Sequence, residues 1–523
     1  MESRRRGIDL AAFLARDEGL TATVALTLCL SVLSMAYFIH SDLVTAYGDG
    51  QARLLIARTV LGGRHPGLAQ LGGIWPPFPQ AYMLPFVWSN ALYYSGIAGA
   101  VPSALSYLWA SAFLYKLVAR MTRDQVAGLV AVVAFSGPNT LFLQSVPMSE
   151  LPFIACFVTA VYFIVRWLLD GSLGALFLAG LFGCLATLTR YEGWVLVGLL
   201  AGVVVLACWQ GLRQYQEVEG HLVFFGLVAF FGIALWLVWN RVILGDTLYF
   251  LHSQYGAKAI NGLQLMDMAP PNRPTGSLQL SALVTGWTVL DNLGVVGAGV
   301  ALLGLARLAL GPRPGPAVTA ALLLLFPIAF SVLAVYAGAE VVGDAHATPG
   351  EAGTNLRYGL LLAPAAGFLA GWLAQGRRLR WPVLSACVAS SLLVWHGGPV
   401  DAGEAAGMTK HYSEASQPAG DWLREHYDGG LVLMQRRTNE NLLFTSRVPV
   451  GQVVYEGDRD EWTRDLADPA REVHWIVMDS GTPSEATPPD DIWKSLHDRP
   501  ALVDRYQLVY DSGPIHVYRL GGS

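Results

Sequence analysis

Apolar residues run along this chain in long blocks, with most of the charge in the gaps between them or near the block ends. The blocks lie near 20–40, 98–118, 125–144, 150–168, 173–189, 193–209, 221–243, 286–309, 317–338, 356–375 and 381–397. A membrane-spanning helix needs about 20 apolar residues at about 1.5 Å rise each. Eleven spans are therefore expected. The stretch 79–96 is also apolar, but counting it as a span would put Lys116, Arg120 and Arg123 on the outer side. It is assigned instead to a helix lying on, or half within, the membrane surface.

From about residue 398 the pattern changes. Ala419–His426 reads as a helix with Trp422 and Leu423 inward. Leu431–Met434, Trp475–Met478, Tyr506–Tyr510 and Ile515–Tyr518 read as strands, and Asp511-Ser512-Gly513-Pro514 as a hairpin turn. The expected architecture is an α-helical polytopic membrane protein, residues 1–397, followed by a soluble α/β domain, residues 398–523. The tail has no glycine-rich nucleotide fingerprint, no GxSxG and no HExxH, so no chemistry is expected from it.

Composition agrees with this division. The chain is 53% hydrophobic and 14% charged, against about 25% charged in ordinary soluble domains. Residues 401–523 hold 21 acids against 12 Lys/Arg, a balance of −9, and the first 400 residues hold 18 against 22, a balance of +4. Cys29, Cys156, Cys184, Cys208 and Cys387 all sit in apolar blocks without metal-ligand spacing, which argues against a disulfide framework or a zinc site. Arg4, Arg5 and Arg6 precede the first block, which has no small-residue cleavage site and reads as a retained span. With Lys116, Arg120, Arg123, Arg166, Arg213, Arg307, Arg313, Arg377, Arg378 and Arg380, they fall on alternate connections. The positive-inside rule makes those cytoplasmic. The N-terminus is then cytoplasmic and the C-terminal domain extracytoplasmic, in a multi-pass cell (inner or plasma) membrane protein.

The outer loops carry the candidate chemistry. The first, 41–79, opens with Tyr47-Gly48-Asp49-Gly50, continues with an interfacial helix from Gln51 to Gly62 that includes Arg53 and Arg58, and ends past His65 at Trp75-Pro76-Pro77-Phe78-Pro79. Asp49 has the surroundings of a catalytic carboxylate, and equally those of a turn residue or helix cap. Glu150 follows Pro147-Met148-Ser149 at the start of a span, where an acid is costly unless used or paired, though a helix start also favours one. Arg190, Tyr191 and Glu192 occupy a short outer turn, and Arg357-Tyr358 enters a span from outside. Outward arginines run against the positive-inside trend and suit a lipid phosphate, while the plain alternatives are that Arg190 pairs with Glu192 facing water and that Arg357 snorkels to the interface. The loop 244–285, with Tyr255 and Lys258, is long enough to act as a lid, and equally reads as a plain flexible loop. Loop 339–355 offers Glu340, Asp344, His346 and Glu351 to a divalent cation, in no specific metal spacing.

Four stretches together resemble the glycosyltransferase-C superfamily, in particular the enzymes related to protein O-mannosyltransferases and lipid A aminoarabinose transferases. They are Tyr47-Gly48-Asp49-Gly50 with Leu55-Ile56-Ala57-Arg58, Pro147-Met148-Ser149-Glu150, Leu188-Thr189-Arg190-Tyr191-Glu192-Gly193-Trp194, and Arg357-Tyr358 with Pro364. The ending Tyr510 to Arg519 is similar to that of the family's outer domains. Gly50 departs from the pattern, since many members have Glu after the Asp. The carboxylate that assists Asp49 would then be Glu150 or Glu192.

The resemblance implies a glycosyltransferase that moves a sugar from a polyprenyl-phosphate donor to an acceptor hydroxyl on a lipid, glycan or protein, with inversion. Asp49 would be the general base, with Glu150 as the second catalytic candidate. Arg190 and Arg357 lead as phosphate ligands, followed by Arg58, His65, Arg241 and Lys258, and Tyr47, Trp75, Tyr191, Glu192, Tyr255 and Tyr358 would line the substrate. No resident cofactor beyond a divalent cation, no nucleic acid and a monomer are expected. The rival classes are a lipid or solute transporter or flippase, which internal repeats would favour, and a non-catalytic membrane assembly subunit.

Overall fold

Without water to satisfy it, a backbone crossing a membrane must pair with itself, and a helix does so within one segment. The computed structural model describes residues 17–209, 215–254, 256, 259–262, 265, 268–311, 315–348, 353–414, 416–481, 488–499 and 504–521. Each of the eleven apolar blocks is helical. Among the described residues, 8 helices are long and apolar enough to cross a membrane, and Gln125–Phe135, Leu173–Thr187 and Glu192–Ala207 are shorter apolar helices.

The blocks are less regular than their hydropathy. The 125–144 block stops at Phe135 and resumes as Pro138–Leu143, because Pro138 lacks the N–H that a continuing helix needs. The 286–309 block extends over Leu278–Leu310 and breaks at Gly294, whose φ is +72°. A Cβ there would lie 2.7 Å from the Val394 side chain, so the break and the packing of the Arg380–Gly397 helix both require glycine. The 356–375 block begins as a 3₁₀ turn, Leu356–Leu362, before the helix Ala363–Ala374. The stretch 79–96 forms Phe78–Val87 and Asn90–Tyr94, helices of 10 and 5 residues that are too short to span.

The central element is the helix Glu150–Asp170. It is apolar all round, as a helix enclosed by others must be, and Phe153, Phe157, Ile164 and Trp167 on it are fully buried. Glu150 and Asp170 begin and end this 21-residue helix, so a rise of about 1.5 Å per residue sets them about 30 Å apart. At the Asp170 end, Arg120 and Arg166 pair with Asp170 at 2.6 and 3.5 Å, and Arg380 pairs with Asp124 at 2.9 Å. Arg120, Arg166 and Arg380 thus share one end of the bundle, opposite Glu150.

The C-terminal sheet has five strands in the order β2-β1-β3-β5-β4. They are β1 Leu431–Met434, β2 Val453–Val454, β3 Val473–Asp479, β4 Tyr506–Ser512 and β5 Ile515–Leu520. β1 is parallel to β2 and β3, and β5 is antiparallel to β3 and β4. The two-residue β2 is the strand that the sequence pattern did not signal. The helix Glu440–Ser446 joins this domain to the first outer loop. Leu442, Leu443 and Phe444 share a core with Leu54, Leu55, Ala57, Met83 and Val87. Asn441 Nδ2 donates to Gln51 Oε1 at 3.3 Å, and Arg436 donates to Thr59 Oγ1 at 3.2 Å.

Candidate active site

The first outer loop forms the helix Gly48–Gly62, with Asp49 in its first turn. Tyr47 precedes it and is 1% exposed, its hydroxyl donating to the Asp401 carbonyl at 2.9 Å and to Glu404 Oε2 at 3.3 Å. Gly50 faces Pro147: a Cβ on it would lie 2.9 Å from Pro147 Cγ. The missing second acid therefore has a steric reason, because any side chain at position 50 would displace the loop that delivers Ser149 and Glu150.

Three arginines and four carboxylates converge at this end of the bundle. Arg357 Nη2 donates to Asp49 Oδ2 at 2.5 Å, and its other nitrogens lie 3.4 Å from Glu150 Oε1 and 3.7 Å from Glu404 Oε1. Arg190 donates to Glu150 Oε1 at 2.9 Å, to Ser149 Oγ at 3.2 Å and to Glu192 Oε1 at 2.6 Å. The Arg357 guanidinium sits 5.0 Å from the Tyr47 ring and 5.4 Å from the Tyr358 ring, which Arg190 also faces at 5.2 Å. The sequence candidates Tyr47, Asp49, Glu150, Arg190, Glu192, Arg357 and Tyr358 thus meet in one cluster. Charges this deep persist only when paired, and the shared Glu150 ties the two arginines together.

The remaining candidates are placed differently. Tyr191 turns its hydroxyl to the Ile74 carbonyl at 2.6 Å and stacks on Phe250, anchoring the end of the first loop beside Trp75. Trp75 lies under Arg53, 4.4 Å from the guanidinium to the ring centre. Arg58 points away from the cluster, to the Val87 carbonyl and Asn90 Oδ1 over the Tyr93 ring. His65 is 3.4 Å from Glu461 in the C-terminal domain, and Arg241 bonds the Gly245 carbonyl. Tyr255 and Lys258 lie outside the described residues.

Sequence reasoning missed four contributors. Arg53 is 6% exposed and reaches Ser149 Oγ with Nη2 at 3.3 Å. Burial pushes it down to about 10, against the pull of Asp49 and Glu150. Its signal was its position four residues after Asp49, which puts both on one helix face. Ser149 lies between Arg53 and Arg190 and stood inside a stretch already singled out. Glu404 comes from the helix Val400–Glu414, which packs into the bundle through Ala402 and Ala405. It accepts the N–H groups of Asn355 at 2.7 Å and Leu356 at 3.1 Å, which fixes the turn presenting Arg357. Nothing in the sequence marked it. Glu340 was noticed only as a cation ligand. Burial, with Glu192 next, pushes its carboxyl up to about 8, while Arg190 and Arg357 pull it down.

Of the loop read as a cation site, Asp344 and His346 do come together, joined by Asp291 from the Leu278–Leu310 helix, with ligand atoms within 4.8 Å of one another. Glu340 is not part of this group, and Glu351 lies outside the described residues. His346 is stacked on Trp287 with ring centres 4.6 Å apart.

Residues 83–239 match the family described as dolichyl-phosphate-mannose-protein mannosyltransferase. No curated protein matches the sequence. Among solved structures, the chain is similar to ArnT from Cupriavidus metallidurans bound to undecaprenyl phosphate, at 14% identity and a TM-score of 0.58 over 96% of this chain and 99% of that one. It also aligns with the Archaeoglobus fulgidus oligosaccharyltransferase in complex with zinc and sulfate, at 12% identity and a TM-score of 0.45 over 88% of this chain and 68% of that one. The chain is a multi-pass membrane protein that shares the fold of the ArnT structure, and residues 83–239 resemble the dolichyl-phosphate-mannose-protein mannosyltransferase family.

Proposed function

We propose that this protein transfers a sugar from a polyprenyl-phosphate donor to an acceptor hydroxyl at the extracytoplasmic face of a cell membrane, with Asp49 as general base. The observation that carries the reading is a contrast in exposure. The Asp49 side chain is 38% exposed, whereas Glu150, Glu192 and Glu404 are 1%, 4% and 2% exposed. Of the four clustered carboxylates, Asp49 is the one an incoming hydroxyl can reach. The other three are buried against arginines, whereas Asp49, though paired to Arg357, keeps part of its side chain open.

The chemistry needs no more than one such group. A phosphate leaving group departs as a stable anion, so no acid has to protonate it, and a single carboxylate takes the acceptor proton. Hydrolysis of a glycoside would call for a working pair of carboxyl groups. Arginines beside the departing phosphate offset the charge that develops on it. Attack opposite the phosphate inverts the anomeric carbon. The donor class is supported by the undecaprenyl phosphate in the ArnT structure and by the mannosyltransferase match. The side of the membrane is supported by the gathering of Arg120, Arg166 and Arg380 at the end opposite Glu150.

The purified protein, given a polyprenyl-phosphate sugar and a panel of hydroxyl acceptors, should release polyprenyl phosphate in step with glycoside of inverted configuration. Binding of the donor without release under any acceptor would count for a carrier or assembly subunit and against this reading.

A further inference from the structure

The three arginines of the cluster differ in what they lack. Arg190 is occupied by Glu150, Glu192 and Ser149. Arg357 donates to Asp49, and although its Nε makes no hydrogen bond, that nitrogen faces Glu150 at 3.4 Å and Nη1 faces Glu404 at 3.7 Å. Among the described residues Arg53 has one neutral acceptor, Ser149 Oγ, and its Nε and Nη1 have no hydrogen-bond partner although the side chain is buried. A buried guanidinium that leaves donors unsatisfied is costly, and the cost disappears if an anion occupies the place.

The surroundings suit such an anion. Trp75 backs the guanidinium at 4.4 Å, limiting the directions in which Arg53 can turn. Asp49 is on the same helix one turn earlier, and Ser149 links Arg53 to Arg190. The free donors therefore belong to the cluster that holds the proposed base, and are not a separate surface feature.

We infer that Arg53 is the arginine that binds the donor phosphate, its Nε and Nη1 donating to phosphate oxygens, while Arg190 and Arg357 remain paired and hold Glu150 and Asp49 in position. This rests on the donor being a polyprenyl phosphate. It reverses the ranking that sequence alone suggested, in which Arg190 and Arg357 led. Those two lead by position, but each is ion-paired to two or three carboxylates, whereas Arg53 pairs with none among the described residues.

The test measures binding to the purified protein, without turnover, of a polyprenyl phosphate, the corresponding polyprenol and inorganic phosphate. Wild type should bind polyprenyl phosphate more tightly than polyprenol. Arg53→Gln should weaken polyprenyl phosphate at least about tenfold and leave polyprenol unchanged, since only the phosphate contact is removed. Arg53→Lys keeps the charge, provides a second variant should Arg53→Gln fold poorly, and should bind polyprenyl phosphate with an affinity between those of wild type and Arg53→Gln. Equal binding of polyprenyl phosphate by wild type and both variants would overturn the assignment while leaving the proposed function intact. No preference of wild type for polyprenyl phosphate over polyprenol would instead count against the donor class itself. Competition by inorganic phosphate at the affinity of the lipid would mean that the site takes free phosphate, and would overturn the assignment to a lipid-linked one.

Discussion

Arg357 Nη2 lies 2.5 Å from Asp49 Oδ2, an ion pair between residues 308 positions apart in the chain. It fixes one oxygen of the proposed base to the bundle, and the rest of the carboxylate stays open to an acceptor. A planar guanidinium gives direction as well as charge, which an ammonium does not.

Arg357→Lys should therefore act on positioning. The expected outcome is a kcat reduced about 10- to 100-fold, the scale of a misplaced catalytic group, with KM for the donor little changed. Steady-state kinetics with varied donor measures this. A donor KM that rises while kcat holds would show Arg357 acting on the phosphate directly.

Gly50 tests the steric account of the missing acid. Gly50→Ala places a Cβ 2.9 Å from Pro147 Cγ, and overpacking of this kind costs about 1–3 kcal/mol. Thermal unfolding in detergent should show a lowered midpoint for Gly50→Ala, and Gly50→Glu should lose stability without gaining activity. A Gly50→Glu protein of unchanged stability and higher turnover would show that a second acid fits after all.

Glu404 supports the turn that presents Arg357. Glu404→Ala leaves the Asn355 and Leu356 N–H groups without their acceptor, at about 1–3 kcal/mol for each group left buried and unpaired. Stability and transfer should fall together. Normal transfer at normal stability would mean that the turn holds its shape without Glu404.

Glu340 sets the alkaline limit. Burial, with Glu192 beside it, raises its carboxyl to about 8. A carboxyl raised in the folded state contributes stability in full below its unfolded value of about 4.3, and that contribution is lost as pH rises through about 8. Its ionisation also adds a negative charge beside Arg190 and Arg357, which opposes an anionic donor. Donor KM should rise above pH 8 in wild type and stay flatter in Glu340→Gln. Superimposable profiles for the two proteins would exclude this role.

The bundle was legible because a span must be apolar over its whole length, and hydropathy reads that directly. The break at Gly294 was not, since it depends on Val394 from another helix. Asp49, Glu150, Arg190 and Arg357 stood out as charges at outer helix ends, where charge needs a reason. Arg53 did not, because one charged residue on an interfacial helix looks like a solvated one until its burial is known. Glu404 was hidden by its segment: Val400–Glu414 carries enough charge to read as part of the soluble tail, yet it packs into the bundle. The two-residue strand β2 was too short for any alternation to appear.

Asp49 is proposed to take the acceptor proton. Single-turnover transfer from a bound polyprenyl-phosphate sugar, compared between wild type and Asp49→Asn at matched folding and donor occupancy, isolates that step. Asp49→Asn should bind donor normally and transfer about 10²- to 10⁴-fold more slowly, the range of general-base contributions. Transfer at the wild-type rate would contradict that role.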